Sequence, residues 1–297
     1  MKNMIFTGAG VAIVTPFHND ADCSVNYDKL AELIEEQIAR GTDAIVICGT
    51  TGESTTLTPK EHEAVNRFAV EQARGRVPVI AGCGSNETAF AAELSIAAER
   101  DGADALLHVT PYYNKTSQAG LIKHFYYVAD RVSLPIILYN VPSRTGMTIQ
   151  PETYLELSKH PNIVATKEAC GDVSAIAKTM RLCGDNLHLY SGNDDQIAAL
   201  MGLGAKGVIS VLSNVAPEAA HAIAAAGLAG DQAKCLALQL EWLDLCNDLF
   251  VDVNPIPVKA AMNLMGKDVG PCRLPLCEMS AAGLEKVRAA LARHGMI

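Results

Sequence analysis

An apolar run, IVATKEAC, ends on a charged pair, Lys167-Glu168. A lysine in that position either keeps its charge by pairing or reaching water, or loses its proton and becomes a nucleophile. With the ordinary amine pKa of about 10.4, roughly one ammonium in a few thousand is neutral at pH 7. Burial among apolar strands disfavours the charge and lowers the pKa. A neutral amine attacks a ketone to form a Schiff base, and the iminium draws electrons from the neighbouring carbon. The alternative is a structural pair with Glu168. Successive residues on a strand face opposite ways, which makes that pair geometrically poor.

Further residues of chemical interest sit at the ends of other apolar runs. Tyr139 ends PIILYNV; its phenol either relays protons or anchors in the core by one hydrogen bond. Arg144, in PSRTG just beyond, offers a fork of donors to a carboxylate, or a surface salt bridge. The segment GTTGES supplies Thr50 and Thr51 between glycines: an anion nest, or a glycine turn with threonine caps. Two other signals point away from chemistry. GLGAKG (202–207) has dinucleotide-loop spacing but precedes a strand pattern instead of following one. The Asp194-Asp195 pair reads as a helix start.

Short apolar runs that alternate with helical patterns must position these groups. The runs are 8–17, 43–49, 77–84, 105–111, 135–141, 163–169, 187–193 and 207–212. They lack polar alternation, as expected of strands buried on both faces of a parallel sheet. Segments such as YDKLAELIEEQIAR carry apolar residues three and four apart, the helical spacing. The strand–helix unit recurs about eight times at roughly 25–30 residues each, which predicts an α/β fold of the (β/α)8 TIM-barrel type over residues 1–225. A doubly wound sheet is the rival, but VTPFHND after the first run is not a glycine-rich turn. Residues 226–297 read as a C-terminal helical appendage, with the proline-rich NPIPVKAAMNLMG inside it. In such a barrel, sites form at the C-terminal strand ends, where GTTGES, TPYYNK, YNVPSRTG, TKEACG and SGNDD all fall.

The composition narrows the function classes. The 297 residues carry a formal net charge of −9, with no basic cluster, which argues against nucleic acid or an anionic membrane as partner. No run of 18 apolar residues and no signal peptide is read in the sequence, and the nine scattered cysteines fit free thiols of a cytoplasmic protein. The histidines show no metal-ligand spacing.

Taken jointly, GTTGES, YYNK, YNVPSRTG, TKEA and SGND resemble, in order and position, the dihydrodipicolinate synthase / N-acetylneuraminate lyase family over essentially the whole chain. The resemblance implies a barrel with C-terminal helices and a Schiff-base lyase with neither organic cofactor nor catalytic metal. It is strongest to the branch that condenses pyruvate with aspartate semialdehyde on the way to lysine and diaminopimelate. It further implies that Lys167 forms the Schiff base and that Tyr139 relays protons with Thr50 and with Tyr113 of the partner subunit in a tight dimer, itself half of a dimer of dimers. Thr51 would hold the pyruvate carboxylate and Arg144 that of the semialdehyde. Gly192 and the Ile209 carbonyl would line the pocket. Thr50-Thr51 and Arg144 select this branch over the sialic-acid lyases. Ser54, His62, Asn86 and Tyr112 match a lysine-effector site. Lysine-inhibited members, however, carry His and Glu where this chain has Pro59 and Phe90. Loss of the carboxylate costs about 2 kcal/mol or more if the site is buried, which implies weak or absent feedback inhibition. Two other readings remain open: the same aldolase chemistry on a different aldehyde, and a barrel that binds a keto acid without turning it over.

Overall fold

The computed structural model describes residues 2–297. Eight parallel strands close in sequence order into one barrel: β1 (Gly8–Ala12), β2 (Ala44–Ile47), β3 (Val79–Gly82), β4 (Ala105–Val109), β5 (Ile136–Asn140), β6 (Ile163–Glu168), β7 (His188–Ser191) and β8 (Gly207–Ser210). Each expected strand is present, and each lies within its expected run. The runs are longer than the strands because their last residues turn into the loops of the C-terminal face.

A helix follows each strand and covers its outer face, from Tyr27–Ala39 after β1 to Pro217–Leu228 after β8. Several helix starts are written in the sequence. Asn26, Ser117 and Asp172 accept hydrogen bonds from amides in the first turn, and Thr58 and Glu61 form a reciprocal capping box. The helix Pro217–Leu228 spans the expected division at residue 225. Beyond it run helices Gln232–Glu241, Leu243–Asp248, Ile256–Leu264 and Ala281–Arg293. Among the described residues no helix is long and apolar enough to cross a membrane.

The barrel interior is packed with Ala44, Val46, Ile80, Leu107, Ile137 and Ile209. Phe6 stacks on Tyr190, ring centroids 4.4 Å apart, and fills the N-terminal end. The interior is therefore solid, and a ligand has room only at the opposite end. One irregularity positions the chemistry. Between β5 and β6 the pairing moves from Ile136↔Ile163 to Ile137↔Ala165, a bulge that absorbs Val164. The shifted register sets Lys167 directly across from Tyr139.

Candidate active site

A cavity of about 350 Å³ opens at the C-terminal end of the strands, bounded by Thr51, Tyr139, Arg144, Lys167, Gly192 and Asn254 among others. Five of these are residues singled out in the sequence; Asn254 is not.

Lys167 is 5% exposed, and its Nζ lies 4.3 Å from the centroid of the Tyr139 ring. Glu168 does not pair with it. That carboxylate points to the outer face, where it accepts from Tyr154 Oη at 2.5 Å and Asn140 Nδ2 at 3.1 Å. Burial raises the Glu168 pKa, and the hydrogen bonds from Tyr154 and Asn140 oppose the rise. The alternation of the strand thus separates an acid with its own partners from an amine that has none among the described residues. Burial lowers the Lys167 pKa to about 8; the charge of Asp194 opposes this and the positive Arg144 assists it.

Burial raises the pKa of Tyr139, while Arg144 and the Thr50 hydroxyl pull it down. The phenol therefore stays protonated at neutral pH. Gly192 leaves the amine its space: a Cβ there would stand 2.9 Å from Ala169 Cβ and 3.0 Å from Lys167 Cγ. Arg144 sits in the short helix Pro142–Thr145, and its Nη2 donates to the backbone carbonyl of Asn254 at 3.1 Å. Thr51 is buried, and its Oγ1 accepts from Asn254 Nδ2 at 3.0 Å.

Other expected residues lie apart from this cavity. Tyr113 is 91% exposed, in a left-handed conformation (φ 68°) beyond β4, and does not reach the site of its own chain. Ile209 has its side chain in the barrel core. Ser54, Asn86 and Tyr112 are half-buried on the loops after β2, β3 and β4. His62 is buried, with Nε2 against the Gly82 carbonyl at 2.8 Å and Nδ1 against Asn66 Nδ2 at 3.1 Å.

Two findings differ from the sequence reading. Asp194 opens a short 3-10 turn, but its carboxylate does not serve that turn. It is buried and accepts from the Val211 and Leu212 amides at 2.9 Å each, close enough to Lys167 to act on its charge. The segment after the barrel also takes part, because Phe250, Asp252, Val253 and Asn254 border the cavity. Its only mark in the sequence is an asparagine before a proline in NPIPVK, which reads as an ordinary turn.

Comparison with known proteins agrees with this geometry. Residues 5–294 match the model of the dihydrodipicolinate synthetase family. A 4-hydroxy-tetrahydrodipicolinate synthase of Thermoanaerobacter pseudethanolicus is 54% identical over 294 residues, covering 99% of this chain and 98% of that protein. The dihydrodipicolinate synthase of Aquifex aeolicus superposes with a TM-score of 0.95 at 44% identity, over 98% of this chain and 99% of that one. The chloride-inhibited dihydrodipicolinate synthase of Acinetobacter baumannii, solved in complex with pyruvate, has a TM-score of 0.95 at 42% identity, over 99% of this chain and 100% of that one. With a closed barrel, a buried amine at the end of β6 and matches that run nearly end to end, the chain belongs to the dihydrodipicolinate synthetase family.

Proposed function

We propose that this enzyme condenses pyruvate with L-aspartate 4-semialdehyde to 4-hydroxy-tetrahydrodipicolinate, through a Schiff base on Lys167, in lysine and diaminopimelate biosynthesis. The observation that carries the reading is the buried amine, without an ion pair among the described residues, at the C-terminal end of β6.

The neutral Lys167 amine adds to the ketone carbon of pyruvate. Water leaves, and a protonated imine remains. Its methyl group loses a proton, and the resulting enamine carbon attacks the aldehyde carbon of the second substrate. The new alkoxide takes a proton, and the amine of the semialdehyde portion displaces Lys167 from the imine carbon. One water is lost overall, and the lysine returns unchanged. Tyr139, across the strand pair, carries protons at the imine and alkoxide steps, with Thr50 as its neighbour in the relay. Thr51 binds the pyruvate carboxylate, Arg144 binds that of the semialdehyde, and Gly192 and the Ile209 carbonyl line the floor. Arg144 favours this aldehyde over uncharged ones. Tyr113 of the partner subunit completes the relay in a tight dimer, and the active species is a cytoplasmic homo-oligomer, a dimer of dimers. An aromatic residue 91% exposed on a left-handed loop supports that part of the reading.

Incubation with pyruvate and borohydride, followed by peptide mapping, tests the mechanism. A reduced adduct on Lys167 alone is expected. No adduct, under conditions that trap a known pyruvate aldolase, overturns the reading.

A further inference from the structure

The stretch NPIPVK (254–259) lies outside the barrel in sequence, and the proposed reaction gives it no part. It is nevertheless fastened to the catalytic face at two points. Asn254, 4% exposed, donates from Nδ2 to Thr51 Oγ1 at 3.0 Å and accepts on its backbone carbonyl from Arg144 Nη2 at 3.1 Å. Five residues on, Lys259 Nζ donates to Glu53 Oε1 at 2.9 Å and to the Thr15 carbonyl at 3.1 Å, with side-chain exposures of 2% for the lysine and 0% for the glutamate. Glu53 Oε2 also accepts from the Arg273 amide at 2.9 Å. Thr51 is therefore held from its side chain by Asn254 and, two residues along the loop, by a buried ion pair.

A hydroxyl has one proton to give and two lone pairs. Where the Asn254 amide occupies a lone pair of Thr51, the Oγ1–H is left to point into the cavity as a donor. A group at 254 that only accepts would take that proton, and Thr51 would then turn a lone pair toward an incoming carboxylate. The Asn254 carbonyl meanwhile satisfies one edge of the Arg144 guanidinium and leaves its other N–H groups for a ligand. We propose that Asn254 is a positioning residue: its side chain sets the Thr51 hydroxyl as a donor to the pyruvate carboxylate, and its backbone fixes Arg144. One residue from the C-terminal region thereby sets the spacing between the groups that receive the two carboxylates.

This inference rests on the aldolase reading, and the experiment separates the two. Borohydride trapping is titrated with pyruvate, with the adduct read by intact mass, for the wild-type enzyme and for Asn254→Ala, Asn254→Asp, Thr51→Val and the Thr51→Val/Asn254→Ala double variant. Loss of the hydrogen bond in Asn254→Ala raises half-saturating pyruvate about tenfold. The near-isosteric Asn254→Asp keeps the packing if the alanine variant unfolds, and raises it further because the new carboxylate repels the ligand's. In the Thr51→Val background, Asn254→Ala adds no further shift, because the group it orients is already gone. For the semialdehyde, KM in Asn254→Ala changes less than half-saturating pyruvate, since the backbone carbonyl that holds Arg144 is retained. Absence of adduct in the wild type overturns the aldolase reading itself. An adduct in the wild type, with half-saturation unchanged in both Asn254 variants, overturns the positioning role alone. So does a shift that adds in full to that of Thr51→Val.

Discussion

Lys167 and Tyr139 face each other across β5 and β6 as register partners, with the amine 4.3 Å from the centroid of the phenol ring. The ring shields the amine from water and carries a hydroxyl at its far end. Tyr139→Phe retains the shield and removes the proton carrier. kcat is expected to fall about 10²- to 10⁴-fold. The midpoint of the pH dependence of borohydride trapping should stay where it is, because the burial that sets it is preserved. A wild-type kcat in this variant would assign the proton transfers to another group.

The Lys167 pKa of about 8 fixes the pH response. Below it the amine is mostly protonated and each unit of acid removes about nine-tenths of the remaining nucleophile; above it the neutral form dominates. Adduct formation at low pyruvate should therefore rise tenfold per unit up to about pH 8 and then level off. Asp194 holds this pKa up, so Asp194→Asn moves the midpoint to lower pH. Stopped trapping over a pH series reads both effects, and an upward move in the variant would show that Asp194 does not act on the amine.

Arg144→Lys keeps a positive charge beside the site and loses the planar fork. KM for the semialdehyde should rise about tenfold or more, the loss of one charge-assisted hydrogen bond. Trapping with pyruvate alone should change little. Steady-state kinetics with each substrate varied in turn separates the two, and an equal rise in both KM values would contradict the division of labour.

Glu53 adopts a left-handed backbone (φ 53°) and has its carboxylate buried against Lys259. Lys259→Met leaves that carboxylate without its counter-charge, which destabilises the fold by about 3–5 kcal/mol. Adding Glu53→Gln should recover a substantial part, since the stranded charge is gone. Urea unfolding midpoints of the two variants check this; a double variant no better than the single one would place the loss in packing.

Among the residues that resemble a lysine-effector site, His62 is held by Gly82 and Asn66, and the resemblance would place a carboxylate where Phe90 stands. Little inhibition is expected at sub-millimolar lysine. A titration that shows strong inhibition there would refute this.

Much of the architecture was legible because parallel strands buried on both faces leave a plain mark. The runs from 43–49 to 207–212 are mostly apolar without polar alternation, and each contains its strand. Lys167 stood out for the same reason, as a charge ending one of those runs. Asn254 did not, because nothing local distinguishes an asparagine that caps a turn from one that reaches across the molecule to Thr51. Asp194 does open a helical turn, as read, but its second role was hidden for a related reason. An aspartate beside a helix start has an ordinary local use, and only the fold brings the Val211 and Leu212 amides to it. Long-range partners have no periodicity, so sequence spacing carries no trace of them.

The fastening of Glu53 by Lys259 and the Arg273 amide also has a consequence in time. During synthesis the eight strands leave the ribosome well before residue 254. The loop that bears Thr50 and Thr51 therefore gains these supports last, after Lys259 and Arg273 have been made. A chain that stops between β8 and Arg273 lacks one or both supports of that loop and also loses core residues such as Val287 and Leu291.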